Sequence, residues 1–174
     1  MTTCNDSKTM AEETYTNNIT ELEWQADDTA SLLFVYQNQS VLLIRKKRGL
    51  GAGKINGPGG KQEAHETIME CAIREVQEEL RITPTDIQAR GELRFSFADD
   101  YKMHVHLFVA SDFTGTPTET DEAIPLWFRI DELPFDEMWA DDRLWLSRVL
   151  DGESVDGTFN FDGDRMLEHN VSFS

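Results

Sequence analysis

Cysteine is almost missing from this 174-residue chain: Cys4 and Cys71 are too few, and too oddly placed, for a disulfide framework. Cys71 falls inside a helical pattern and Cys4 in a polar segment, so a reduced protein is expected. Basic residues are scarce as well. Against 33 acidic residues stand only 16 Lys and Arg, which leaves a net charge of −17. That balance argues against nucleic acid polymers and anionic membranes as partners, because both need a basic surface. It leaves room for a single nucleotide, whose phosphates a metal can neutralise locally. Long apolar runs are lacking too, so no segment suits a membrane span. The opening MTTCNDSKTMAEE has no basic stretch followed by an apolar one, and so does not read as a secretory signal. No internal repeat is visible. The expectation is a soluble, cytoplasmic protein, a monomer with a dimer still compatible, whose partner is a small molecule.

What remains is an ordinary globular composition, enough for one domain with a normal core. Residues 1–28 are polar and acidic and read as a mobile extension, with a short ordered piece near Ile19 to Trp24. The domain then covers 29–174. Ala30 to Tyr36 and Val41 to Ile44 are apolar strands around the turn Gln37-Asn38-Gln39, a hairpin pattern. Leu93, Phe95 and Phe97 alternate with polar residues, and Met103 to Ala110 alternates again and pairs with them. Ile124 to Ile130 reads as a strand, Asp141 to Leu150 as a helix with Leu144, Trp145 and Val149 facing inward. Thr158 to Phe161 and Met166 to Phe173 make a terminal hairpin. Strands with helices between them predict an α/β fold, a mixed sheet sandwiched by two helices.

The most informative stretch is GKQEAHETIMECAIREVQEELRI, Gly60 to Ile82. Glu75, Glu78 and Glu79 are spaced i, i+3 and i+4 and project from one side of a helix. Such neighbours repel by a few tenths of a kcal/mol per pair, and a divalent cation would turn repulsion into coordination. Met69, Ala72, Ile73, Val76 and Leu80 form the opposite, core-facing stripe. Thr67 and Glu70 fit a capping box. Gly57, Gly59 and Gly60 around Pro58 read as a tight loop entering the helix. A solvated acidic face is the plain alternative for a charge run. Loop glycines, one arginine and clustered glutamates in this order count against it.

These residues resemble the Nudix signature: Gly, five residues, Glu, seven residues, Arg-Glu, an aliphatic, any residue, Glu-Glu, any residue, Gly, an aliphatic. Gly60, Glu66, Arg74, Glu75, Val76, Glu78, Glu79 and Ile82 match; Arg81 stands in place of the last glycine. That glycine normally ends the helix in a left-handed conformation, which costs a residue with a Cβ about 1 kcal/mol. The resemblance runs from about Ser31 to the C-terminus. KKRGLGAGKINGPGGK, RGELRFSFADDYKMHVHLF, GTPTETDEAIPLWF and LPFDEMWADDRLW are similar to segments of the oxidised purine nucleoside triphosphatases, the MutT-homologue branch. The implied fold is the Nudix α/β/α sandwich. The implied reaction is hydrolysis of 8-oxo-dGTP and 2-hydroxy-dATP to monophosphate and pyrophosphate, which sanitises the nucleotide pool.

By the same resemblance, Glu75, Glu78 and Glu79, with the Gly60 carbonyl and Glu122, would hold Mg²⁺, for which Mn²⁺ can substitute. Glu79 ranks first and Glu122 second as the group that takes a proton. Arg74 would pair with Glu66 and fix the loop against the helix. Lys46 and Lys61 are candidates to reach the phosphates, though solvated lysines would look the same. Asn56, Phe95, Trp139, Asp141 and Asp142 match the residues that surround the base. Read without the resemblance, Asp141 or Asp142 is a helix cap, Trp139 and Phe95 are core, and Asn56 is a turn residue. Leu50, Ile55 and Ala123 depart from the mammalian pattern of aromatic, tryptophan and methionine, and imply a reshaped pocket. His104 and His106 lie on a strand, have no metal-ligand spacing nearby, and read as structural. Two other readings compete. One is a Nudix hydrolase for another nucleoside diphosphate-linked substrate, such as ADP-ribose, a dinucleoside polyphosphate or a methylated purine triphosphate. The other is a catalytically dead binding domain, against which the intact glutamates argue.

Overall fold

The computed structural model describes residues 23–174. Cys4, the expected mobile extension up to residue 22, and the Ile19 end of its ordered piece lie outside the described residues. From Trp24 the chain is tied to the sheet: its indole N–H donates to Ser96 Oγ at 3.0 Å.

Nine strands form one sheet: β1 Asp28–Gln37, β2 Ser40–Lys46, β3 Ile55–Asn56, β4 Gly59–Lys61, β5 Ile82–Phe97, β6 Lys102–Gly115, β7 Ala123–Arg129, β8 Val155–Asp162 and β9 Arg165–Phe173. Two α-helices, α1 Ile68–Leu80 and α2 Asp142–Leu150, and two single-turn 3-10 helices, Ile130–Glu132 and Phe135–Glu137, complete the described fold. The main path runs β3-β2-β1-β6-β5-β8-β9, with β7 on β2 and β4 on β1. β1 with β6 and β5 with β8 are parallel, and the other pairs are antiparallel. The sheet is therefore mixed, as expected.

Alternation along the strands builds two cores. Leu33, Val35, Leu42, Ile44 and Phe108 pack with Ala72, Val76 and Leu80 of α1. Phe34, Val41, Leu43, Val105 and Phe159 pack with Trp145, Leu146 and Val149 of α2. One helix on each face makes the α/β/α sandwich.

β1 and β2 pair only near their hairpin, from Val35↔Leu42 to Gln37↔Ser40. Beyond it, the glycine-rich segment enters between them: Ile55 and Asn56 pair with β2, Gly59 to Lys61 with β1. Gly59 is obligatory there, because a Cβ would lie 1.9 Å from the Ser31 carbonyl oxygen. α1 starts with the expected capping box. Thr67 Oγ1 accepts from the Glu70 N–H at 3.2 Å, and Glu70 Oε2 from the Thr67 N–H at 2.7 Å. It ends with Arg81 at φ 60°, left-handed as the signature position demands despite its Cβ.

Two expectations need correction. β5 begins at Ile82, well before Leu93, and runs through Pro84 and Gly91. Up to Arg90 this strand pairs with β6 alone, so a proline is tolerated on the free edge. The buried side of α1 is also broader than the expected stripe. It consists of Cys71, Ala72, Val76, Glu79 and Leu80, with Met69 and Ile73 only half-buried.

Candidate active site

A cleft of about 460 Å³ opens beside the β3–β4 segment, within the size range of small-molecule sites. Acidic side chains of α1 lie at one end and the start of α2 at the other. Gly60, Glu75, Glu79 and Glu122 line the first end; Asn56, Phe95, Trp139, Asp141 and Asp142 line the second. Leu32, Phe97, Met103, Val105 and Phe161 give the space between them an apolar wall. The expected site residues therefore meet, except that Glu78, Glu66 and Arg74 do not line the cleft.

Arg74 organises the acidic end. Its guanidinium donates to Glu66 Oε2 at 2.9 Å and Oε1 at 2.7 Å, to Glu75 Oε1 at 2.7 Å and to Glu78 Oε2 at 3.2 Å. A further bond to the Lys61 carbonyl ties the loop to the helix. Arg74 holds the Glu66 carboxyl down to about 2, well below the usual range. A Cβ at Gly60 would stand 2.4–2.6 Å from the Glu75 carboxylate and displace it from its present place.

Glu79 is treated differently. It is 3 % exposed, which corrects the expectation that all three carboxylates lie opposite the packed stripe. One oxygen accepts from the Gly59 N–H at 3.1 Å; the other, Oε2, has no partner. Burial, with the nearby charges of Glu75 and Glu122, pushes its carboxyl up to about 8 against the Gly59 bond and Lys46. Burial also raises Glu75, although Arg74 opposes it. Glu122 approaches from the loop before β7 and is held by Arg48. An orphaned buried carboxylate oxygen beside two further acids and a close glycine backbone suits a hard divalent cation. The donor set therefore fits a metal, with Glu75, Glu79 and Glu122 lining the cleft and Glu78 held by Arg74 outside its lining.

The other end is apolar around two acids. Asp141 is 2 % and Asp142 3 % exposed. Asp141 Oδ2 accepts from the Trp145 indole N–H at 2.9 Å, while Asp141 Oδ1 and Asp142 Oδ2 have no partner. Neither side chain caps α2: Asp141 sits at the cap position in a helical conformation and makes no capping bond. The plain cap reading is thereby overturned. Burial raises Asp141 to about 6; burial, with the neighbouring Asp141 charge added, also raises Asp142 well above its ordinary value. Two buried carboxyls side by side favour retention of a proton.

Around them stand the surfaces a flat ring would meet. Trp139 is held edge-on by Phe161, with Lys54 Nζ 5.1 Å from its ring centre. Phe95 stacks on Phe159 at 5.3 Å. Asn56 Oδ1 accepts from the Gly57 N–H at 2.8 Å, which leaves its amide N–H groups as donors. Of the three departures, Leu50 lines the cleft, 50 % exposed, whereas Ile55 and Ala123 are buried away from it. Only Leu50 can reshape the mouth directly.

Arg48 and Met103 were not foreseen: one follows a pair of lysines and the other reads as a plain strand residue. Lys61 was foreseen only as one of two basic candidates, and it lines the cleft. There it is held by Asp28 at 2.8 Å, which also accepts from the Tyr101 hydroxyl.

A family model for the NUDIX domain matches residues 26–149. The chain belongs to the Nudix family. It is 44 % identical over 143 residues to an oxidized purine nucleoside triphosphate hydrolase of Danio rerio, covering 81 % of this chain and 92 % of that one. The mouse protein of the same name is 41 % identical over the same extent. A crystal structure of a mutator MutT protein from Bacillus halodurans superposes with a TM-score of 0.74 at 28 % identity, covering 83 % of this chain and 97 % of that one. The protein is thus a Nudix hydrolase, of a family that uses a divalent metal. No helix among the described residues is long and apolar enough to cross a membrane.

Proposed function

We propose that this Nudix hydrolase converts oxidised purine nucleoside triphosphates, 8-oxo-dGTP and 2-hydroxy-dATP, to monophosphate and pyrophosphate. Mg²⁺ is the metal of this reading, with Mn²⁺ able to replace it. The observation that carries the proposal is the pair Asp141 and Asp142, buried and incompletely bonded at the end of the cleft away from the glutamates. A carboxyl that keeps its proton donates a hydrogen bond; its ionised neighbour accepts one. Such a pair suits a purine edge whose donors and acceptors oxidation has rearranged, because a mismatched group would stay buried and unpaired. Trp139 and Phe95 offer aromatic surface to the ring, and Asn56 an amide donor.

At the acidic end, a bound divalent cation supplies charge neutralisation and polarisation of phosphoryl oxygens. The protein's own part is positional. Gly59 and Gly60 let the backbone lie against the phosphate chain. Arg74 holds Glu66, Glu75 and Glu78 in one arrangement. Glu79, in its ionised form, accepts the proton of the water that attacks phosphorus, with Glu122 as second choice. Water adds to one phosphorus and the bond to the leaving pyrophosphate breaks. Lys61 and Arg48 lie near enough to the acidic end to steady the phosphate charge. A cytoplasmic, monomeric enzyme belongs to the same reading.

The test is a panel of triphosphates with Mg²⁺. Preference for 8-oxo-dGTP and 2-hydroxy-dATP over dGTP and dATP is expected. Equal rates for all four, or a preference for ADP-ribose or a dinucleoside polyphosphate, would overturn the proposal.

A further inference from the structure

On the sheet, away from the cleft glutamates, Glu92, His104 and His106 bring their ligand atoms within 4.8 Å of one another. His104 and His106 alternate along β6 and so share a face; Glu92 reaches them from β5, where it stands opposite His106. His104 Nε2 is 2.8 Å from Glu92 Oε2, and His106 Nδ1 is 4.0 Å from the same oxygen. The sequence pattern hid this meeting, because the third group comes twelve residues earlier, on another strand.

We propose that Glu92, His104 and His106 form a second metal site, distinct from the Nudix acids, that takes a first-row transition cation such as Zn²⁺. The donor set decides the class of ion. Two imidazoles and one carboxylate suit Zn²⁺ and its neighbours, whereas Mg²⁺ prefers oxygen throughout. Ligands around a tetrahedral Zn²⁺ stand about 3.3 Å apart, between the two spacings found here. An ion would replace the proton shared by His104 and Glu92.

The surroundings support this. Arg94 bonds the other Glu92 oxygen and is itself anchored by Asp156 at 2.8 Å. That orients the carboxylate and leaves Oε2 for the ion, as outer partners of metal ligands do. Trp24 sets its ring edge-on to His104 at 6.1 Å between ring centres. Burial, then the neighbouring His104, lowers the His106 pKa and favours the neutral, ligating imidazole. The three side chains are 23 %, 30 % and 31 % exposed, so an ion and a water in a fourth position can enter.

The experiment uses the full chain, freed of metal and then given Zn²⁺ in excess Mg²⁺. Tight binding of one Zn²⁺ is expected, with an anomalous peak at the zinc edge between Glu92, His104 and His106. Zn²⁺ should also raise the melting temperature, by clamping β5 to β6. His104→Asn or His106→Asn should weaken Zn²⁺ binding at least about tenfold, with Mg²⁺-dependent turnover kept. Should either variant fail to fold, Glu92→Gln and the visible spectrum of bound Co²⁺ ask the same question. A zinc peak confined to Glu75, Glu78 and Glu79, or undiminished Zn²⁺ binding in these variants, would overturn the site and leave a plain His–Glu ion pair.

Discussion

The two ends of the cleft both bury carboxyl groups, yet they compensate them in opposite ways. At the α1 end an arginine reaches Glu66, Glu75 and Glu78, and a backbone N–H reaches Glu79. One oxygen of Glu79 is still left without a partner. At the α2 end the bonds that reach Asp141 and Asp142 are the Trp145 indole N–H and backbone groups, and burial is nearly complete. The first arrangement calls for a cation, the second for a proton. Burial sets both demands; the density of acids and the loop backbone decide which is met.

The largest test of this contrast is Glu79→Gln. Turnover is expected to fall by about two to four orders of magnitude with the fold retained, because proton acceptance and metal affinity fail together. Unchanged kcat would remove Glu79 from the chemistry.

The α2 end should respond in selectivity instead. Asp141→Asn or Asp142→Asn is expected to change the ratio of kcat/KM between oxidised and normal purines by about tenfold or more. Mg²⁺ affinity should stay the same. Equal losses for every base would contradict the assignment.

Melting against pH separates the two ends further. Carboxyls raised by burial bind protons more tightly in the folded state, so their contribution is whole below about 4 and is lost as pH rises. For Asp141 the loss comes as pH passes about 6, for Glu79 as it passes about 8. In chelator, wild type should lose stability relative to Asp141→Asn up to pH 6 and relative to Glu79→Gln up to pH 8. Each loss is on the order of a few kcal/mol. Added Mg²⁺ should restore only the Glu79 part. A metal response that also erased the Asp141 part would join what the account keeps apart.

The smallest effect concerns the helix end. Arg81→Gly relieves a left-handed residue and should be neutral or stabilising by up to about 1 kcal/mol, a few degrees in Tm. A lower Tm would mean that the Arg81 side chain holds something in place.

Much of this was legible in the chain because the signature couples local rules to one another. Thr67 and Glu70 announce the start of α1, and Gly59 sits where a Cβ cannot fit. Strand alternation gave the β1–β2, β5–β6 and β8–β9 pairs, whereas the parallel neighbours β1–β6 and β5–β8 are set by the whole sheet. The cap reading of Asp141 failed because position in a helix does not reveal whether a side chain turns back or points into a cavity. Glu79 was expected opposite the packed stripe, because helical spacing cannot show that the glycine loop closes over that side of α1. Glu92 with His104 and His106 was invisible for a similar reason: strand register across β5 and β6, bulge included, is set by the whole sheet.

The most direct measurement is carboxyl carbon NMR of the labelled protein at pH 7, with and without Mg²⁺. The account predicts a Glu79 signal that shifts from protonated to ionised when Mg²⁺ is added, beside an Asp141–Asp142 pair that keeps one proton throughout. Ionised signals for all three before metal, or loss of the aspartate proton on its addition, would contradict it.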